Sequence, residues 1–560
     1  MQLNFKYVSR RTGSILLVAL LSLSGCGGGS SDNTSGMAGL RGRITFDSVP
    51  AVASSPELSD RLTAKLDYNR TKQLPARGVL VEAIADNGVA IASTQTDANG
   101  NYLLNLPANT SVRIRASARL LHNATSGASW DFSIRDNTSS GYLTPGSEAA
   151  LYAIEGAQFV TGTTNPSRDL HAASSWNGSG YTAGGRAAAP FAILDMEYAA
   201  MQKVLAVDSH AVFAPMIAYW STSNRPASGD PSSGFIETSH WENVGSRPGL
   251  YILGAENVDT DEYDSAVIVH EWGHYFESRF SRSDSSGGSH GPGDALEMGL
   301  AFGEGWGNAL SGMVRDDPVY VDTVGPQQSL PGTVFDLNTI DDSAPKGWFS
   351  EGSVQHLLYQ VYKSPAIGFS PIHRVMTGPQ KTTTAFTSLF SFATYLRAAV
   401  SPAGQDDLDH LLAGIDTVHG TALDIWGTSQ TLPPSIAAIR PDQSSFVLPV
   451  YTILTPGQPA ITVCRTNYFE DDGDNNKLGN VRYLRLKILT DGVHQLQIDS
   501  PDEASLEFGL FQSGSPVEEK ELSVGDATNA AYFDLLAGDY VAAISNAMHP
   551  DACFTLTLSR

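Results

Sequence analysis

A chain of 560 residues is too long for one hydrophobic core, so about three to four structural units are expected. Hydrophobic residues at 41% against 17% charged exclude an intrinsically disordered chain. A formal net charge of −24 repels phosphate backbones, which sets nucleic acid aside as a partner and reads as a solubilising surface.

Residues 1–26 have the composition of an export leader. Lys6, Arg10 and Arg11 precede an apolar run from Ile15 to Leu23, which is too short to span a bilayer. Leu23-Ser24-Gly25-Cys26 resembles the bacterial lipobox, which implies lipidation of Cys26 and a mature N-terminus there. The resemblance implies a chain anchored by lipid in the bacterial cell envelope, with Gly27 after the cysteine pointing to the outer membrane. Residues 27–39 are rich in Gly and Ser and read as a flexible tether.

Residues 40–120 read as short strands. The β-rich runs Gly78–Ala85 and Ser111–Ala116 flank Asp97-Ala98-Asn99-Gly100, a tight-turn signal. This pattern resembles the transthyretin-like β-sandwich of the carboxypeptidase-regulatory type, with 47–76 as an insertion. Residues 121–185 are polar and Gly-rich, and read as an extended connecting region. From Ala188 the pattern turns helical over 191–205, then gives strands at 211–220 and 250–254. Asp259 to Asp264 supply capping residues and negative charge for a helix start. Further helices are expected at 295–314, 352–363, 384–400 and 405–415.

The helix after Asp264 carries His270-Glu271-Trp272-Gly273-His274. Residues four apart share a helix face, so both imidazoles can meet one zinc ion, and Glu271 can reach a zinc-bound water of pKa about 7 as general base. Three fixed residues in five arise by chance, so a buried structural His pair competes with this reading. Thirty residues beyond His274 comes Gly303-Glu304-Gly305-Trp306. This block resembles that of the fungalysin-like peptidases and, more distantly, the thermolysin-like ones, all gluzincins. The resemblance implies His270, His274 and Glu304 as ligands of one Zn2+ per chain, Glu271 as general base, and a peptide or protein substrate. Glu297 is the alternative third ligand. Where the family has an Asp that orients a ligand His, this chain has Asn308, which brings no negative charge. His290, His356 and Tyr359 are candidates for stabilising an oxyanion, and the strand near Tyr251 is a candidate to pair with an extended substrate.

Beyond about residue 440, strands separated by turn residues read as a second β-sandwich, 440–560, which resembles the bacterial pre-peptidase C-terminal type. Export implies an oxidising compartment, so Cys464 and Cys553 are expected to form a disulfide. The acidic run Glu470-Asp471-Asp472-Gly473-Asp474 makes Ca2+ a second candidate cofactor, against the reading of a solvated loop. The expected fold class is thus multidomain α+β: a mainly helical gluzincin-type metallopeptidase module at 186–435 with a small β-sheet, flanked by two β-sandwich domains. The competing functions are a surface binding protein with a degenerate zinc module and a zinc hydrolase of a non-peptide substrate.

Overall fold

The computed structural model describes residues 37–560 apart from 55–62, 183–184, 342, 440–441, 443, 470–474, 500–504, 524–529 and 546–550. The leader, Cys26, most of the tether and the acidic run 470–474 lie outside the described residues. The architecture is multidomain and mixes helices with several sheets. Among the described residues no helix is long and apolar enough to cross a membrane.

Alternation of apolar and polar residues makes Met37–Ser48 a strand with one buried face, Leu40, Ile44 and Phe46 pointing inward. It pairs with Asn101–Pro107 and Lys72–Pro75. The turn before Asn101 forms as its residues dictate. The Asp97 carboxylate accepts from the backbone N–H of Asn99 and Asn101, and Gly100 takes φ +79°.

A larger sheet runs in the order His240–Glu242, Gly249–Ile252, Met216–Trp220, Trp130–Asp136, Ser111–His122, Val79–Ala85, Ala90–Gln95. It crosses both residue 120 and residue 186. Its pairs are antiparallel from Ala90 to Asp136, then parallel where Met216–Trp220 joins Trp130–Asp136 and Gly249–Ile252. A parallel pair needs a crossover, and the helix Ala189–Leu205 lies in that connection and packs on the sheet. One apolar core therefore takes in Leu40, Val81 and Leu120 together with Ile268 and Trp272 of the His-bearing helix. The strand of Tyr251 has a neighbour on each side. With both backbone edges paired it cannot add a substrate strand, and His240–Glu242 is the sheet's outer strand at that end.

The strands between Tyr451 and Ser559 form two sheets. One has the order Tyr451–Leu454, Arg482–Ile488, Gly538–Ser545, Ser505–Gln512, Ser515–Ser523; the other has the order Ile461–Thr466, Asp551–Ser559, Gly492–Asp499, Ala530–Leu535. Their inward faces build a separate core around Leu484, Leu496, Phe508 and Phe554. Cys464 and Cys553 stand opposite each other on adjacent strands and form a disulfide. It closes a separation of 89 residues, a constraint on the unfolded chain worth about 2–4 kcal/mol. The unit is docked rather than suspended. The backbone N–H of Glu297 donates to Asn476 (2.8 Å), and that of Leu478 donates to Ala295 (2.9 Å).

Candidate metal centre

Two helices build the centre. Ser265–Phe280 carries His270, Glu271 and His274, and Met298–Arg315 carries Glu304. Small residues bring them together. A Cβ on Gly273 would lie 3.0 Å from Gly307 Cα, and one on Gly307 would lie 2.9 Å from the His270 ring. Any side chain at 307 would displace that ring. Gly305 makes room for the helix Glu351–Lys363, where a Cβ would meet Val354 at 2.6 Å. Trp306 Nε1 donates to the Gly273 carbonyl (3.2 Å), which fixes how the two helices are set against each other.

The result is a convergence of donors. Ligand-type atoms of His270, His274 and Glu304 all lie within 4.8 Å of one another. Glu304 Oε2 is 3.2 Å from His270 Nε2 and 3.5 Å from His274 Nε2, and the two Nε2 atoms are 3.0 Å apart. Burial disfavours charge on His274, but the Glu304 carboxylate outweighs it and lifts the ring to about 10. Burial likewise opposes ionisation of Glu304, yet the histidines hold it well below the usual carboxylate range. Two nitrogens and a carboxylate oxygen, largely shielded from solvent and converging, suit zinc. Such a proton-sharing cluster would release protons on taking up the metal.

Asn308 orients the centre. Its Oδ1 is 2.7 Å from His270 Nδ1, while its Nδ2 donates to Glu351 Oε1 (2.6 Å) and Gln355 Oε1 (2.7 Å). Those two acceptors fix which end of the amide is oxygen. His270 must therefore donate from Nδ1, so Nε2, which faces Glu304, is the nitrogen left to bind a metal once its proton is released. The amide is matched to its surroundings, because an Asp at 308 would set a carboxylate against Glu351. We expect Asn308→Asp to lower stability by roughly 1–3 kcal/mol in thermal unfolding, and Glu351→Gln to recover much of that loss in the double variant.

Glu297 is elsewhere. It caps the Glu304 helix, its Oε2 accepting from Gly299 N (2.8 Å) and Leu300 N (3.1 Å). Of the oxyanion candidates, His290 is brought to the trio: its Nε2 lies 3.4 Å from Glu304 Oε2 and 3.9 Å from Glu351 Oε2. Burial opposes its charge, but Glu304 raises it to about 9. Its loop is held by the C-terminal unit, where Asn476 Nδ2 and Lys477 Nζ donate to the Ser289 carbonyl (2.9 and 2.7 Å). His356 Nδ1 instead donates to the Leu337 carbonyl (3.0 Å), and Tyr359 packs at Gly312 beside Tyr362.

Sequence reasoning missed four groups. Glu351 and Gln355, four apart on one helix, were visible as a polar pair. Tyr320 stands with its ring 6.3 Å from that of His270. Glu277, buried one turn beyond His274, is pushed up to about 8 chiefly by burial, with His274 pulling the other way.

No family model and no curated protein matches the chain. Among solved structures, it is similar to the pre-peptidase C-terminal domain of a collagenase from Bacillus anthracis, at 9% identity and a TM-score of 0.16, over 20% of this chain and 94% of that one. It is also similar to a periplasmic inhibitor of g-type lysozyme from Aeromonas hydrophila, at 14% identity and a TM-score of 0.14, over 19% and 96%. Scores this low bear on neither fold nor function.

Proposed function

We propose that the chain is a zinc-dependent peptidase of the gluzincin type, exported and tethered through Cys26. The observation that carries this reading is the convergence of His270, His274 and Glu304 within 4.8 Å of one another, with Glu271 beside the first histidine. Zinc held by that trio supplies a water acidified to a pKa of about 7 and a Lewis acid for a carbonyl.

The chain's own residues do the rest. Glu271, buried on the same helix, takes the proton of the attacking water and returns it to the leaving amine. Asn308 keeps His270 in the tautomer that presents Nε2. His290, whose Nε2 lies 3.4 Å from Glu304 Oε2, is our candidate donor to the developing oxyanion. Asn308 lends little to the reading of a degenerate binding module, because the amide does the orienting work of the family's Asp.

Purified protein should hold one zinc per chain by elemental analysis. It should cleave casein, lose cleavage on dialysis against a chelator, and regain it with zinc. Protein that takes up no zinc after reconstitution would overturn the proposal. Zinc uptake without cleavage of any peptide would leave the non-peptide hydrolase as the better account.

A further inference from the structure

The aspartates that lead into the His270 helix form a second cluster, which the zinc reading does not use. Asp259 and Asp261 flank Thr260, Asp264 precedes the helix, and Asp322 belongs to the strand Val319–Val324. Carboxylate oxygens of Asp259, Asp261 and Asp322 lie within 4.8 Å of one another. Asp264 does not cap the helix with its side chain; its Oδ2 accepts from the N–H (2.7 Å) and hydroxyl (2.9 Å) of Thr323.

Two observations point to a missing positive charge. The first is electrostatic. Beyond burial, the groups acting most strongly on Asp261 are Asp259, Asp322 and Asp264, all of one sign. No lysine or arginine pairs with Asp259, Asp261 or Asp322 among the described residues. Burial first, then Asp322, pushes Asp259 up to about 7, and burial pushes Asp322 up to about 6.

The second observation is a set of orphaned oxygens. Asp261 is 3% exposed and Asp264 fully buried, yet Oδ1 of each has no hydrogen-bond partner among the described residues, and neither does Oδ1 of Asp259. The same holds for Thr260 Oγ1 and Gln328 Oε1. Gln328 spans the two strands that carry the cluster, its Nε2 donating to the carbonyls of Thr260 (3.4 Å) and Thr323 (2.8 Å). Buried oxygens without donors are normally satisfied by some group, and here two of them belong to the converging carboxylates of Asp259 and Asp261.

We propose that Asp259, Asp261 and Asp322 bind one calcium ion. The donors are all oxygen, which selects a hard cation over zinc, and they come from two separate strands, which suits calcium's larger and less regular shell better than magnesium's octahedron. The ion joins the strand that carries Tyr320 to the segment that starts the His270 helix. This inference does not depend on the peptidase reading.

The test uses the full chain with zinc restored, in calcium-free buffer. Millimolar calcium should raise the unfolding midpoint by about 3–8 °C. Terbium should give sensitised emission through Tyr320, which shares a strand face with Asp322, and calcium should displace it. Asp261→Asn and Asp322→Asn should abolish both responses. They should also match or exceed the wild-type midpoint without calcium, since each relieves repulsion. Substituting Asp471, Asp472 and Asp474 together by Asn should leave both responses intact. A midpoint indifferent to calcium with no displaceable terbium emission would overturn the proposal, as would responses that survive Asp261→Asn and Asp322→Asn. An equal shift with magnesium at the same concentration would overturn the choice of calcium.

Discussion

Glu271→Gln should keep its zinc and lose hydrolysis by about 10²–10⁴-fold, the range that a general base contributes. The retention follows from position: the ligand cluster comprises His270, His274 and Glu304, and Glu271 Oε1 stands 4.0 Å from His270 Nε2. The loss follows from chemistry, because an amide of nearly the same shape cannot accept the water's proton. Zinc content and kcat on one peptide substrate, measured on the same preparation, check both halves. A variant that hydrolyses at the wild-type rate would remove Glu271 from the mechanism, and one that loses zinc would make it a ligand.

Glu304→Ala should lose both zinc and activity, while Glu297→Ala keeps zinc and loses stability. Glu304 gives the trio its only carboxylate and the histidines their counter-charge. Without it two imidazoles remain, short of the three protein ligands of a catalytic zinc site. Glu297 satisfies two N–H groups at the start of the same helix, so its removal should cost about 0.5–2 kcal/mol. Zinc retained after exhaustive dialysis, read beside the thermal midpoint, separates the two outcomes. If Glu297→Ala were the variant that shed zinc, the third-ligand assignment would be reversed.

What was legible in the chain depended on range. His270 and His274 could be placed on one face because helical spacing is local, and the helix at 352–363 begins within a residue of its expected start. Glu304 needed its glycine neighbours, whose purpose is visible only in three dimensions: Gly305 faces Val354 and Gly307 faces the His270 ring. The long sheet was not legible. The run 211–220 reads as a strand, but Trp130–Asp136 falls in a polar stretch that reads only as an extended connection, and nothing local says that the two pair with each other. The same limit hid the role of Asp264. Its position before a helix reads as a cap, whereas its carboxylate is claimed by Thr323 from a distant strand. Asn308 read as a departure from the family, since its partners Glu351 and Gln355 lie on another helix.

The close approach of Gly273 to Gly307 bears on the order of assembly. In small zinc domains the metal gathers ligands that are otherwise dispersed, and folding waits for the ion. Here main chain meets main chain behind the histidines, and the tryptophan clasp and the shared apolar core already fix the spacing. If the proposed site takes zinc, the metal-free chain is a folded body with the ligands already gathered. Under the proposed function, zinc would be loaded onto a chain already folded rather than being needed to fold it.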